Sequence, residues 1–200
     1  METVVAIALA ALGAGTPLVF AALGELVGPD GTAVLFRDRV PTPPEGWSEV
    51  YRASGAQMVA ADLPPAPDLD FVALGQVDVD DMLELVQLTE PGPFMPRTIE
   101  LGGYLGLRRE GRLVAMAGRR FQLPGFVEVS AVCTHPEARR QGLGAALTLA
   151  VAHGIRADGD EPFLHVLGGN DAAIALYRAI GFEVRREVDV VAAVFGDPPE

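Results

Sequence analysis

Arg139, Arg140, Gly142 and Gly144 stand between a β-like run, 127–134, and a helix-like run, 145–155. The amides that open a helix have no partner within it, and the helix dipole adds partial positive charge there. Guanidinium groups ahead of such an end, with glycines that let a ligand approach the backbone, form a socket for phosphate. Gln141 and Leu143 complete the turn. Three groups near it in sequence could move protons: Glu128 on the preceding strand, and His165 and Tyr177 downstream.

Two familiar phosphate sockets fit poorly. Residues 142–147, Gly-Leu-Gly-Ala-Ala-Leu, partly match the dinucleotide pattern, but several residues separate Thr134 from Gly142. The next strand, 163–166, ends in Leu167-Gly168-Gly169 with no carboxylate to hold a ribose. A P-loop needs a lysine, and the fifteen basic residues are all arginine.

Arg139-x-x-Gly142-x-Gly144 resembles the acyl-CoA signature of the GNAT superfamily of N-acetyltransferases. Asn170, 26 residues beyond Gly144, begins Asn170-x-Ala172-x-x-x-x-Tyr177-x-x-x-Gly181-Phe182, which resembles a second signature of that superfamily. The run 128–136, Glu-Val-Ser-Ala-Val-Cys-Thr-His-Pro, is similar to the subgroup of glycine N-acyltransferase-like proteins. The resemblance covers roughly residues 67–199. It implies an α+β fold, with a GNAT-like mixed, mostly antiparallel central sheet flanked by helices. It also implies acetyl-CoA, or another acyl-CoA, as the donor in direct acyl transfer to an amine.

Site roles follow from that resemblance. Val132 and Thr134 would offer backbone to pantetheine, with a Val132 or Cys133 N–H near the thioester oxygen. Residues Arg139, Arg140, Gln141, Gly142, Leu143 and Gly144 would hold the pyrophosphate, and Asn170 would steady the cofactor arm. Tyr177 is the expected general acid, because a phenol with a pKa of about 10 stays protonated at neutral pH. Strict alternation puts Glu128 on one strand face with Ser130, Val132 and Thr134. A carboxylate on an apolar strand is costly without a partner or a task, so Glu128 is a candidate base, with an exposed strand start paired with an arginine as the alternative. His165 is a second, and the choice stays open. Cys133 beside His135 suggests a nucleophile, but a free cysteine usually serves as a small buried hydrophobe. Phe94, Arg97 and Glu100 are candidates for the acceptor wall, with a plain Arg–Glu surface pair as the alternative.

These residues need elements to position them. Helices are expected at 3–12 and 17–27, with Thr16 capping the second and Pro17 at its first position. Strands are expected at 32–36, 49–52 and 56–60. Three prolines within 63–67 read as a linker. An N-terminal α/β extension, 1–66, would then precede an acyltransferase domain, 67–200, and the extension loosely resembles an incomplete acyltransferase half. The second region predicts a strand at 70–74 and a helix at 79–89. Strands at 103–108 and 113–118 follow, around a turn at Glu110-Gly111. Then come the strand, turn and helix of the socket, and a strand at 163–166. A helix opened by Asn170 and closed by Gly181, and strands at 183–186 and 188–195, end the chain.

Composition sets the limits. Two hundred residues suffice for a proper core. A formal net charge of −12 repels nucleic acid. The acceptor is expected to be a small-molecule amine or a protein amine, and a homodimer is left open. The single cysteine suits the cytoplasm. The apolar run 4–23 raises a membrane anchor as the alternative, but Pro17 would break it as a helix and no basic residue precedes Arg37.

Overall fold

The computed structural model describes residues 5–8 and 17–196. The chain forms two compact units. One takes residues up to Gln57, Val166–Asn170 and the chain from Arg185 onward; the other takes Met58–His165 and Asp171–Val184.

In the first unit, strand β1 (Val5–Ala8) lies parallel to β2 (Thr32–Arg37), and β2 pairs antiparallel with the later part of β9 (Phe182–Phe195). The expected helix at 3–12 is therefore corrected. Val5 and Ile7 alternate with alanines, a pattern that suits a strand once β2 supplies a partner. The other residues of that helix, and the Thr16 cap, lie outside the described residues. Helix α1 (Pro17–Val27) begins on proline, as expected. Gly28 ends it at φ 70°, donating its N–H to the Gly24 carbonyl at 2.9 Å. Phe20, Leu23 and Val27 pack on Ala33, Leu35, Val191, Ala193 and Trp47. Among the described residues no helix is long and apolar enough to cross a membrane.

Two pairs of expected strands are each one strand. β3 runs unbroken over Trp47–Ala60, and β9 over Phe182–Phe195. Gly55 does not interrupt β3, because its missing side chain is what the packing needs: a Cβ there would lie 2.8 Å from the Val166 carbonyl.

The second unit carries the mixed sheet. β4 (Val72–Leu74), β5 (Tyr104–Arg109), β6 (Arg112–Leu123) and β7 (Phe126–Thr134) pair antiparallel in that order, and β8 (Glu161–Leu167) joins β7 in parallel. Glu110 (φ 51°) and Gly111 (φ 82°) make the tight β5–β6 turn, in the left-handed conformation that such hairpins need. Helix α2 occupies Val79–Thr89, as its periodicity predicts. Glu90, at φ 47°, ends it before the expected Pro91-Gly92-Pro93 stop. Arg108 ties β5 to the head of α2 through Asp78 and Asp81, each at 2.6 Å. Beneath α2, Met82 and Leu85 pack with Leu74, Phe94, Tyr104, Met116, Ala131 and Cys133. Helix α3 (Leu143–Ala157) buries Leu147, Val151 and Ile155, and α4 spans Asp171–Ala179. Gly181 follows α4 at φ 89°, where a Cβ would meet the Asp62 carbonyl at 1.9 Å.

Candidate active site

β7 and β8 pair only over Phe126–Glu128 and Glu161–Phe163; among the described residues the ladder goes no further. From Val129 on, one edge of β7 is therefore left to other partners. The same strand carries a bulge. Gly118 faces Ser130 and Met116 faces Cys133, so Ala131 and Val132 share the place opposite Ala117. Ala131 takes φ 51° to make the extra step.

The bulge corrects the expected alternation. Glu128 and Ser130 share a face, but Ala131 and Cys133 then enter the core beneath α2. Val132 and Thr134 instead come to Gly144, whose Cβ would lie 3.8 Å from Val132 and 3.7 Å from the Thr134 hydroxyl. Leu176 of α4 approaches the same point at 3.9 Å. Thus Val132, Thr134 and Gly144 come together, on a face separate from Cys133.

The socket forms at the head of α3. A short 3-10 turn, Pro136–Ala138, leads through exposed Arg139 and Arg140 to Gly142. Gly142 is at φ 76°, a conformation that favours glycine, with open space where a Cβ would stand. The first helical bond runs from Ala146 N–H to the Gly142 carbonyl at 2.9 Å, so the amides of 143–145 stand ahead of it. Arg139 reaches back to the Thr134 carbonyl at 3.3 Å. Two arginines from the β5–β6 hairpin join the turn: Arg109 donates to Gln141 at 2.7 Å and Arg112 pairs with Glu137 at 2.6 Å. Sequence reasoning missed them, because hairpin-tip arginines look like ordinary surface residues.

Glu128 is fully buried and both its oxygens are engaged. Arg120 on β6 grips it at 2.8 and 2.9 Å, and His165 on β8 lies 2.8 Å away through Nδ1. Burial alone would raise the carboxyl, but the Arg120 charge and the bonds from His165 and Arg120 outweigh it and hold it below its ordinary value. An ionised carboxylate only accepts, so Nδ1 of His165 carries a proton toward it. The arginine partner weighed for Glu128 is thus present, but on a buried carboxylate and not at an exposed strand start; Arg120 itself was not singled out, since its sequence signal is a charge on a largely apolar strand.

Tyr177 is partly exposed on α4 and packs edge-on to Phe182 at 6.2 Å. Burial of its surroundings, then nearby Cys133, pushes its phenol up to about 12. Burial also pushes the Cys133 thiol up to about 11, so it is not a thiolate at neutral pH. Phe94 is buried edge-on against Tyr104 at 5.6 Å. Arg97 and Glu100 form an exposed pair at 2.8 Å on the 3-10 turn Pro96–Leu101. Asn170 directly precedes α4 and donates its N–H to Leu167 at 3.2 Å, but it falls in the first unit.

Residues 104–191 match the family model of FR47-like proteins. A solved structure described as an acetyltransferase from the GNAT family, from Novosphingobium aromaticivorans, is 38% identical, with a TM-score of 0.82. The match covers 93% of this chain and 83% of that one. The chain is also similar to mycothiol acetyltransferase of Nocardiopsis dassonvillei, 35% identical over 117 residues, which are 56% of this chain and 35% of the relative. The N-alpha-acetyltransferase RimI of Mycobacterium tuberculosis is 37% identical over 83 residues, covering 40% of this chain and 51% of that protein. The chain thus spans about a third of the length of the mycothiol acetyltransferase it matches. Its sheet, its two signatures and its likeness along most of a solved relative place it in one family: the chain belongs to the GNAT family.

Proposed function

We propose that this protein is an acyl-CoA-dependent N-acyltransferase that moves an acetyl group from acetyl-CoA directly to an amine. One observation carries the reading: β7 parts from β8 after Glu128 and runs on into a left-handed glycine at the head of α3. That geometry suits a long ligand with a phosphate end, with free strand edge for its arm and free amides and arginines for its pyrophosphate. Acetyl-CoA supplies the activated acyl group as a thioester.

The chain's own residues supply the rest. Val132 and Thr134 offer backbone to the pantetheine arm, and the Val132 or Cys133 N–H polarises the carbonyl. Arg139, Arg140 and the turn from Gln141 to Gly144 hold the pyrophosphate. As the amine nitrogen bonds to the carbonyl carbon and the carbon–sulfur bond breaks, Tyr177 gives its proton to the departing sulfur. The amine's proton passes toward the Glu128–His165 pair. Phe94 walls the acceptor side, with Arg97 and Glu100 at its rim.

All of these residues belong to the second unit. We assign the chemistry to 67–200 and treat 1–66 as an extension. The N-alpha-acetyltransferase relative points to a protein N-terminus as acceptor. The narrower likeness to glycine N-acyltransferase-like proteins, over 128–136, points to a small amine. The cytoplasm is the proposed compartment, in keeping with the free, buried Cys133.

A second reading is a non-catalytic module that binds acyl-CoA. The full burial of Glu128, with both oxygens engaged, favours it. Thermal melting followed by a turnover assay separates the two. Acetyl-CoA at 100 times its dissociation constant should stabilise the protein by about 2.7 kcal/mol. Stabilisation with thiol release in the presence of amines supports the enzyme. Stabilisation with no release across a broad amine screen supports the module. Absence of any shift with acetyl-CoA or CoA sinks both.

A further inference from the structure

Among the described residues one buried side-chain polar atom has no hydrogen-bond partner: the hydroxyl of Tyr104. Tyr104 is 1% exposed and opens β5, opposite Gly118 of β6. Its ring is held closely. A Cβ on residue 118 would sit 2.2 Å from it, so glycine there makes the space, and Phe94 closes another side edge-on. The ring belongs to the same core cluster as Ala131 and Cys133 at the β7 bulge. Burial raises its phenol well above the ordinary value, and the charges of Arg120 and Glu128 both act on it. The hydroxyl therefore lies within electrostatic reach of the buried cluster to which the amine's proton is assigned.

A phenylalanine would fill nearly the same volume without stranding a polar group, and a stranded hydroxyl costs stability. The group makes physical sense if its partner arrives with substrate. An amine that attacks a carbonyl must keep its lone pair for the carbon, so its N–H bonds are what a protein can hold. We propose that the Tyr104 hydroxyl oxygen accepts a hydrogen bond from an N–H of the acceptor amine, which makes Tyr104 a specificity-determining residue of the acceptor pocket. This rests on the acyltransferase reading. It places the acceptor nitrogen between Tyr104 and the Glu128–His165 pair. Phe94, near the end of the loop 90–95, stands against the ring.

The test compares wild type with Tyr104→Phe by melting temperature, acetyl-CoA affinity and thiol release. The acceptor probes are propylamine, glycine and a short peptide with a free N-terminal alanine. The expected result is an unchanged or raised melting temperature, unchanged acetyl-CoA affinity, and kcat/KM for the amine lowered about tenfold. The N-methylated form of the accepted probe, with fewer N–H bonds, should show a smaller difference between the two proteins. A lowered melting temperature in Tyr104→Phe would mean a structural partner for the hydroxyl and overturns the assignment. So does equal kcat/KM in the two proteins when wild type turns over. Wild type inert toward all three probes, yet stabilised by acetyl-CoA, overturns the acyltransferase reading itself and this assignment with it.

Discussion

Tyr177 and Glu128 are both titratable and desolvated, yet their surroundings push them in opposite chemical directions. The phenol of Tyr177, at about 12, keeps its proton across the physiological range, so it stands in its acid form beside a departing sulfur. Tyr177→Phe should therefore lower kcat about a hundredfold or more while melting like wild type; a change in melting temperature with kcat intact would give Tyr177 a packing role instead. Glu128 is held ionised, so the folded protein binds its proton less readily than the unfolded chain does. Its stabilisation is complete above the ordinary carboxyl value of 4.5 and is lost as pH falls through the lower folded value. Glu128→Gln should flatten that acid limb. At pH 7 it should also cost about 3–5 kcal/mol, because Arg120 is left buried without its counter-charge. Melting curves from pH 3 to 7 for both proteins check this, and parallel acid limbs would show that another carboxyl controls the limb.

The socket at the head of α3 makes a contrast of sign between two neighbouring glycines. Gly142 needs its left-handed φ of 76°, so Gly142→Ala should lose about 1 kcal/mol although its Cβ meets nothing. Gly144 carries no such φ, and its Cβ would make only ordinary contacts at 3.7–3.9 Å. Gly144→Ala should be neutral or gain up to about 1 kcal/mol. Equal losses by chemical denaturation would show that something other than backbone strain decides. This turn was legible in the sequence because its chemistry is local: arginines, glycines and a helix start within six residues. Helix α2 and the Glu110-Gly111 hairpin were legible for the same reason, each set by its own periodicity or turn residues. The Arg120–Glu128–His165 cluster was not, since it depends on the register of three strands. Two irregularities interrupt the β6–β7 register, one between Arg119 and Gln122 and one at Ala131, and neither extra residue is a glycine or proline. The strand at Val5–Ala8 was hidden for a related reason: an apolar run reads as helix until a partner strand is known.

Charge decides the last expectation, and it belongs to the whole chain. Twenty-seven acidic residues face fifteen arginines, so many carboxylates have no opposite charge to answer them. The ion pairs already engage Arg52, Arg97, Arg108, Arg112, Arg119, Arg120, Arg156 and Arg186. Most of these pairs are partly open to water and are worth about 1 kcal/mol or less each. The surplus acts differently, as a long-range repulsion that opposes the compact state. Raising salt from about 0.01 to 0.15 M shortens the screening length from about 30 to about 8 Å. That weakens the spread-out repulsion more than contacts no longer than 3.4 Å. The melting temperature should therefore rise by about 2 °C or more across that range at pH 7. The gain should vanish as pH approaches the isoelectric point near 4.6, where the surplus is titrated away. A melting temperature that fell with salt at pH 7 would reverse the order of these effects and make the surface ion pairs the larger contribution. The buried Arg120–Glu128 pair should hold in either case, because salt does not reach a fully buried carboxylate.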